Sequence, residues 1–428
     1  MEFKKNILSN IVTNGFSILV GFLTSMLIAR GLGTYNQGTF SFFLLIFGLV
    51  ATYGHFGISN STSYFVKKSK YDKDDVLSTN FNSLVFFCLL YELFFLLFGK
   101  KIFGTDNSLL LIIWIVYLAM VILNNFFLTT YISNEKMYKY NRYTIITNII
   151  KIIVVVSLYF TNNISIFYLS ILYLVIEIIK NIFMALEVDF KYKFTIDFNI
   201  VKDEFKYGIP LCLAAFCIYL NYRVDQIMIK YFIGNSDLGI YSIAVQLAEL
   251  GFLFPESIKS AFEGRLYKCD ENQRKRLCEQ VVKFTFYVTI LICIIGCLCR
   301  PLINVFYGNE YDAAGLVMVV LLIGVTFASI GKVTPMYYFT SGRPKIQFYV
   351  SLSVLIINLI ANFILIPILG TLGAALASTI SYIFLGVIYI VLLVKNDKLS
   401  FRKLVIFEKN DIKKFIKFFF NRDYKERI

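Results

Sequence analysis

Twelve apolar runs of membrane-spanning length follow one another along the chain, near residues 6–29, 39–65, 77–98, 108–132, 143–160, 165–186, 207–232, 238–262, 280–303, 314–340, 346–367 and 371–394. About 20 apolar residues cross the hydrocarbon core of a bilayer as an α-helix. The runs therefore predict an all-α polytopic membrane protein of twelve transmembrane helices in two groups of six. Composition supports that class: 58% of the 428 residues are hydrophobic and 16% are charged, which leaves too little polar surface to coat a soluble globule of this size. The expected organisation is an N-terminal six-helix lobe over 1–186, a cytoplasmic linker over 187–206, a C-terminal six-helix lobe over 207–394 and a basic cytoplasmic tail over 395–428. Lys4 and Lys5 before the first run resemble the start of a signal peptide, but no small-residue cleavage site followed by a soluble domain appears, so this run is expected to be an uncleaved first span.

Basic residues orient the helices. With the N-terminus inside, and with basic residues near span ends counted with the adjoining segment, 33 of the 42 Lys and Arg fall on inward segments and 5 on outward loops, and the remaining four, Lys151, Lys180, Arg223 and Lys332, lie farther inside spans. That bias places both termini in the cytoplasm. The net charge of +14 then belongs mainly to loops beside anionic lipid and is no sign of nucleic-acid binding. In the tail, apolar residues from Phe401 to Phe420 alternate with lysines, a pattern suited to an amphipathic helix on the inner membrane surface.

The two halves repeat a motif. Gly33, Gly38, Phe40 and Ser41 match Gly234, Gly239, Tyr241 and Ser242 at a constant offset of 201 residues, and each set falls at the turn between the first and second helix of its group. An even number of helices separates the copies, so the repeats run in the same sense across the membrane. Such a parallel repeat implies two lobes about an axis along the membrane normal, able to rock and open a site alternately to each side.

Ionisable groups deep in spans are costly and usually serve function. Arg223 and Asp225 sit far inside the apolar run Ile209 to Ile229, and Lys332 lies deep in the tenth run. Arg223 and Asp225 are only two residues apart, so on a regular helix they cannot face each other and need other partners. Polar stripes at helical spacing run along the first helix (Asn10, Asn14, Ser17, Gly21, Thr24) and the eighth (Ser242, Gln246, Glu249, Glu256). The 201 offset carries Glu256 onto His55, the single histidine, which titrates near working pH and is a candidate ion-coupling group. Small and polar stripes also serve simply to pack helices. Glu177 and Lys180, three apart, are expected to neutralise each other, and Lys151 and Glu92 to snorkel toward span ends.

Three groups of residues carry a family resemblance: Ala29-Arg30-Gly31-Leu32-Gly33 with Gly38-Thr39-Phe40-Ser41; Tyr222-Arg223-Val224-Asp225-Gln226 with Leu238-Gly239-Ile240-Tyr241-Ser242; and Pro367-Ile368-Leu369-Gly370-Thr371-Leu372-Gly373-Ala374-Ala375. On these the chain resembles, over essentially its whole length, the polysaccharide-repeat-unit (O-antigen and capsule) flippases of the multidrug/oligosaccharidyl-lipid/polysaccharide exporter superfamily. The resemblance implies a bacterial inner-membrane protein that moves an undecaprenyl-pyrophosphate-linked oligosaccharide to the outer leaflet, with membrane lipid around it and the polymerase and chain-length regulator of the same pathway as further partners. It maps the family's embedded arginine and aspartate onto Arg223 and Asp225 and its first-helix arginine onto Arg30. Arginine and lysine in a low-dielectric cavity compensate a pyrophosphate, and amides bond sugar hydroxyls. The expected substrate-binding residues are therefore Arg223, Lys332, Arg30, Asn14 and Gln246, with Asp225, Glu249 and His55 tuning charge or coupling to H+ or Na+. No cofactor is implied.

Other classes fit less well. Gly331-Lys332 lacks the remainder of a phosphate-binding loop, which speaks against an ATP-driven transporter. The outer connections are too short to carry an enzyme's catalytic acids. The eight cysteines have no zinc-ligand spacing and read as buried bystanders. The alternative is a drug/cation antiporter of the same superfamily, but cationic drugs favour acidic or aromatic cavities, whereas buried Arg223 and Lys332 point to an anion.

Overall fold

The computed structural model describes residues 2–68, 71–267, 269–408 and 411. The regular structure of these residues is helical, and ten helical runs among them are long and apolar enough to cross a membrane. Two of the ten hold two spans each. Helix α1 (Glu2–Tyr53) is interrupted at Gly33, φ 69°, and the long helix over Lys345–Lys395 at Gly370, φ 62°. Both positions need the left-handed backbone that only glycine adopts without penalty, and Pro367 just before Gly370 removes a further helical donor. Dividing these two runs produces the twelve spans expected from the hydropathy.

The chain forms two compact units, Met1–Phe216 and Cys217–Ile428. The first contains α1, α2 (Ile58–Lys68), α3 (Lys73–Phe103), α4 (Ser108–Ser133), α5 (Met137–Phe160) and α6 (Ile166–Glu187). Helix α7 (Phe198–Phe232) runs through the division. It starts nine residues ahead of the apolar run that marks it in the sequence, so 198–206 are helical and only 188–197 are not. The second unit contains α8 (Asn235–Glu249), α9 (Leu253–Leu266), α10 (Glu271–Leu298), α11 (Leu302–Tyr307), α12 (Asp312–Thr340), α13 (Lys345–Lys395) and α14 (Phe401–Val405).

Each unit has an irregular stretch in its second span. In the first unit it is the turn 54–57 between α1 and α2; in the second it is the 3-10 turn Leu250–Phe252 between α8 and α9. Gly234, at φ 133°, precedes α8 as Gly33 precedes the second half of α1, so the repeated sequence motif marks a repeated backbone event.

Packing differs between the units. In the first, α1 lies on α4 and α5, and α4 on α3 and α6, around an aromatic core in which Phe43 stacks on Phe103 at 4.3 Å and Trp114 at 5.1 Å between ring centroids. In the second, α12 is central, touching α8, α9, α10 and α13. Start signals are local and clear: Asp270 and Gln273 form a reciprocal capping box that begins α10, and the side chains of Asn107 and Ser165 cap α4 and α6.

Of the tail, residues 395–408 and 411 are described. Residues 396–408 pack onto their own unit: the Tyr287 hydroxyl donates to the Val405 carbonyl at 2.8 Å, Lys283 and Asp411 form an ion pair of 2.9 Å with both side chains nearly inaccessible, and Leu404 is fully buried. Of the segment expected to form an amphipathic helix, Phe401–Val405 is helical, as α14, and the part from residue 412 on lies outside the described residues.

Candidate functional site

Helices α7, α9, α12 and α13 of the second unit enclose a cavity of about 160 Å3. Its walls carry Asn221, Tyr222, Glu256, Lys259, Lys332, Gln347 and Ser351. The Lys332 ammonium stands over the faces of Tyr222 and Phe252, at 4.5 and 4.7 Å from their centroids, and bonds Glu256 Oε1 at 2.9 Å. The other oxygen of Glu256 is 3.5 Å from Lys259 Nζ. Two ammonium groups thus share one carboxylate, and the charged lining carries a net positive charge. Aromatic faces stabilise an ammonium without consuming its hydrogens, so Lys332 keeps donors for a ligand.

Beyond Tyr222, Phe252 and Tyr382, which pack edge to face with centroids 5.4–6.3 Å apart, lies the second charged group. Arg223 makes a two-pronged pair with Glu249, Nη1 to Oε1 at 2.8 Å and Nη2 to Oε2 at 2.9 Å. Asp225, two residues on and 2% exposed, accepts the Tyr241 hydroxyl at 2.5 Å, the Ser378 hydroxyl at 2.8 Å and the Gln226 amide at 2.7 Å. Buried hydrogen bonds continue along α13: Ser381 donates to the Ser378 carbonyl and accepts from Asn358, to which Asn362 is bonded. The two-residue offset sends Arg223 and Asp225 to different partners, as helix geometry requires.

The other sequence candidates fall elsewhere. Gln246 is half-buried on α8 and does not line the cavity. In the first unit, Asn14 and Arg30 are exposed on the first half of α1, while His55 is buried in the turn 54–57, where its Nδ1 accepts the Gly57 amide at 3.2 Å. Two residues of the first helix's polar stripe pack it: Asn10 accepts from Asn141 and Ser17 from Asn148, 2.5 and 2.8 Å, one ladder holding α1 on α5. Glu177 and Lys180 do not pair among the described ion pairs. Lys180 instead bonds the Tyr140 hydroxyl at 3.0 Å and Asn124 at 3.4 Å, because an i,i+3 spacing allows contact only when no better partner is offered from a neighbouring helix.

The polysaccharide biosynthesis protein family matches residues 3–259, more than half of the sequence. The chain belongs to the polysaccharide biosynthesis protein family. A second family, MatE, matches residues 210–364. Among curated relatives, the chain is similar to the capsular polysaccharide biosynthesis protein CapF of Staphylococcus aureus, 25% identical over 390 residues that make up 88% of this chain and 96% of that protein. It is also similar to the probable low-salt glycan biosynthesis flippase Agl15 of Haloferax volcanii, 21% identical over 43% of this chain and 40% of that one. Two solved structures share the fold. They are the lipid II flippase MurJ in an inward closed conformation (TM-score 0.75, 20% identity, 98% of this chain and 97% of that one) and an inward-facing multidrug resistance MATE transporter of the MOP superfamily (TM-score 0.73, 12% identity, 90% and 94%). The family is the one that the motifs around Gly33, Arg223 and Gly370 resemble, and the two solved structures that share its fold are a flippase and a transporter.

For this family member, several residues escape a reading of the sequence. Tyr241 and Ser378 carry no charge and lie 16 and 153 residues from the aspartate they bond. Phe252 is one of 44 phenylalanines, and nothing local marks it as the floor beneath a lysine. The adjacency of Tyr222 to Arg223 is the one signal that could have flagged the aromatic box.

Proposed function

We propose that the protein is a flippase carrying undecaprenyl-pyrophosphate-linked oligosaccharide repeat units across the bacterial inner membrane by alternating access, for O-antigen or for capsule or other exopolysaccharide synthesis. Both termini lie in the cytoplasm on this reading, in keeping with the distribution of Lys and Arg. The observation that carries it is Lys332, set with Lys259 against the single carboxylate of Glu256 beside a polar cavity. A diphosphate carries more negative charge than a carboxylate, so it competes for both ammonium groups as it enters, and Glu256 swings to water. Asn221, Gln347 and Ser351 on the same walls offer donors and acceptors to sugar hydroxyls.

Arg223 takes part in the same way, its fork shared between Glu249 and the anion, with Asp225 holding α7 in place through its three donors. Arg30, Asn14 and Gln246 serve as outlying contacts along the substrate's path. Glu249 sets the charge felt by Arg223. His55 belongs to the turn that divides the second span, and any coupling to H+ or Na+ reaches it through that turn.

Deletion of the gene in its host, with surface polysaccharide and lipid-linked intermediates analysed together, tests the assignment. Loss of surface polymer with accumulation of the complete lipid-linked repeat unit, restored by wild type and not by Lys332→Met, is the expected result. The MatE match over 210–364 favours a second reading, a drug/cation antiporter. Normal polymer with altered drug susceptibility would sink the flippase and establish that one.

A further inference from the structure

The first unit holds a buried polar group that the reading above does not use. Thr62 on α2, Asn80 on α3 and Glu204 on α7 meet with exposures of 2%, 1% and 0%. Asn80 Nδ2 donates both to Thr62 Oγ1 and to Glu204 Oε1, each at 3.0 Å, and the Thr62 hydroxyl donates onward to the Ile58 carbonyl at 2.9 Å. Every donor of the trio is then spent. Two acceptor oxygens, Asn80 Oδ1 and Glu204 Oε2, remain buried without a hydrogen-bond partner, on side chains already bonded to each other.

Several charges on the same helices are engaged elsewhere. On α2, Lys67 pairs with Glu135 at 2.8 Å. At the start of α3, Lys73 donates to the Asp189 carbonyl and Asp75 pairs with Lys193. On α7, Asp203 accepts the Tyr71 hydroxyl at 2.8 Å. Among the described residues no cation pairs with Glu204. An ionised carboxylate buried with one amide donor and no counter-charge costs several kcal/mol, and an orphaned amide oxygen beside it adds to the cost. A single positive charge on the carboxylate offsets the larger deficit, and one bound by both free oxygens would offset the two together.

We infer that Glu204 and Asn80, with Thr62 as the positioning residue, form a binding site for one small monovalent cation: a proton on Glu204, or a Na+ held by Glu204 Oε2 and Asn80 Oδ1. The site lies one helical turn before Gly208, whose backbone is in contact with Gly57 in the break of the second span. Occupancy therefore changes charge beside the least regular stretch of that span. The inference concerns the cation alone and stands whatever substrate the protein moves.

The test uses the full chain purified into lipid nanodiscs, with 22Na+ binding measured by equilibrium dialysis and protonated carboxyls counted by infrared spectroscopy between about pH 5 and 9. Glu204→Gln keeps the shape and removes the charge. A Na+ site predicts saturable 22Na+ binding in the wild type that is absent in Glu204→Gln and at least about tenfold weaker in Asn80→Ala. A proton site predicts no 22Na+ binding, together with one protonated-carboxyl band at neutral pH that vanishes in Glu204→Gln and shifts in frequency in Asn80→Ala. If Glu204→Gln does not fold, the loss of binding or the band shift in Asn80→Ala decides alone. Identical 22Na+ binding and identical carboxyl bands in the wild type and the folded variants overturn the inference.

Discussion

Lys332 Nζ and Glu256 Oε1, 76 positions apart in sequence, meet at 2.9 Å with the lysine lying across the faces of Tyr222 and Phe252. The pair is a cation held in a low-dielectric frame by a carboxylate that remains partly exposed, 44% at Glu256 against 20% at Lys332. An arrangement of that kind holds a charge ready and lets its partner leave.

Substitution at Lys332 separates binding from folding. Lys332→Met leaves Glu256 bonded to Lys259 and preserves contact with both rings, so stability changes by less than about 1 kcal/mol. Flipping, measured as surface polymer at equal protein level, falls at least about tenfold through loss of a charge-assisted bond to the anion. Lys332→Arg restores part of it. Unchanged polymer in Lys332→Met would remove this lysine from the binding set.

Asp225 behaves in the opposite way. All three of its bonds come from donors, and Asp225→Asn places an amide NH2 where one of them points. The variant unfolds with a loss of about 2–4 kcal/mol, while Tyr241→Phe and Ser378→Ala each cost about 1 kcal/mol. Thermal unfolding in detergent, followed by circular dichroism, ranks the three. A ranking with Asp225→Asn mildest contradicts the structural role.

Two glycines carry contrasting penalties. A Cβ on Gly57 would stand 2.3 Å from the Gly208 backbone, at a φ of +94°, so Gly57→Ala meets a wall and a forbidden backbone together and costs upward of about 2 kcal/mol. Around Gly370 the nearest foreign atom is Ile233 Cδ1 at 3.8 Å, so Gly370→Ala pays for its backbone conformation alone, φ 62° and ψ −137°, about 1–3 kcal/mol. Paired melting curves of the two variants measure the difference directly.

The exposed loops of the first unit respond to pH. A hydrogen bond from Lys67 holds the Glu135 carboxyl below the usual range, and one from Lys136 does the same for Asp189. Because both folded-state values are depressed, their contribution is complete above the ordinary carboxylate range and disappears as pH falls through the lowered values, below about pH 4. Salt weakens it at any pH, since both pairs face water. Stability measured against pH at low salt, with Glu135→Gln flattening the acid limb, checks this. An acid limb unaltered in that variant assigns the sensitivity to other carboxyls.

Much of the architecture was legible from residue order. Hydropathy is an average over neighbours in sequence, so it locates twelve spans, and the glycines at 33, 234 and 370 mark where the backbone must turn, because a positive φ is a property of one residue. The isolation of Arg223 from Asp225 also followed from helix geometry alone. The beginning of α7 did not: Phe198 to Lys206 is polar enough to look like a linker, yet Ile200 and Glu204 are fully buried there. Burial depends on what packs against a helix, and Asn80 and Thr62 come from elements more than a hundred residues earlier.

The sequence by itself determined the class, the number of spans, the repeat and the family, since these rest on local hydrophobicity, on backbone constraints at single residues and on short motifs. Tertiary structure alone decided the partners. It gave Arg223 to Glu249, Lys332 to Glu256 over two aromatic rings, and Glu204 to Asn80, and left one oxygen of each member of that last pair buried without a hydrogen-bond partner. Pair energies depend on separations of about 3 Å between atoms brought together by packing, and no periodicity along a chain encodes which of its 28 carboxylates a given cation will meet.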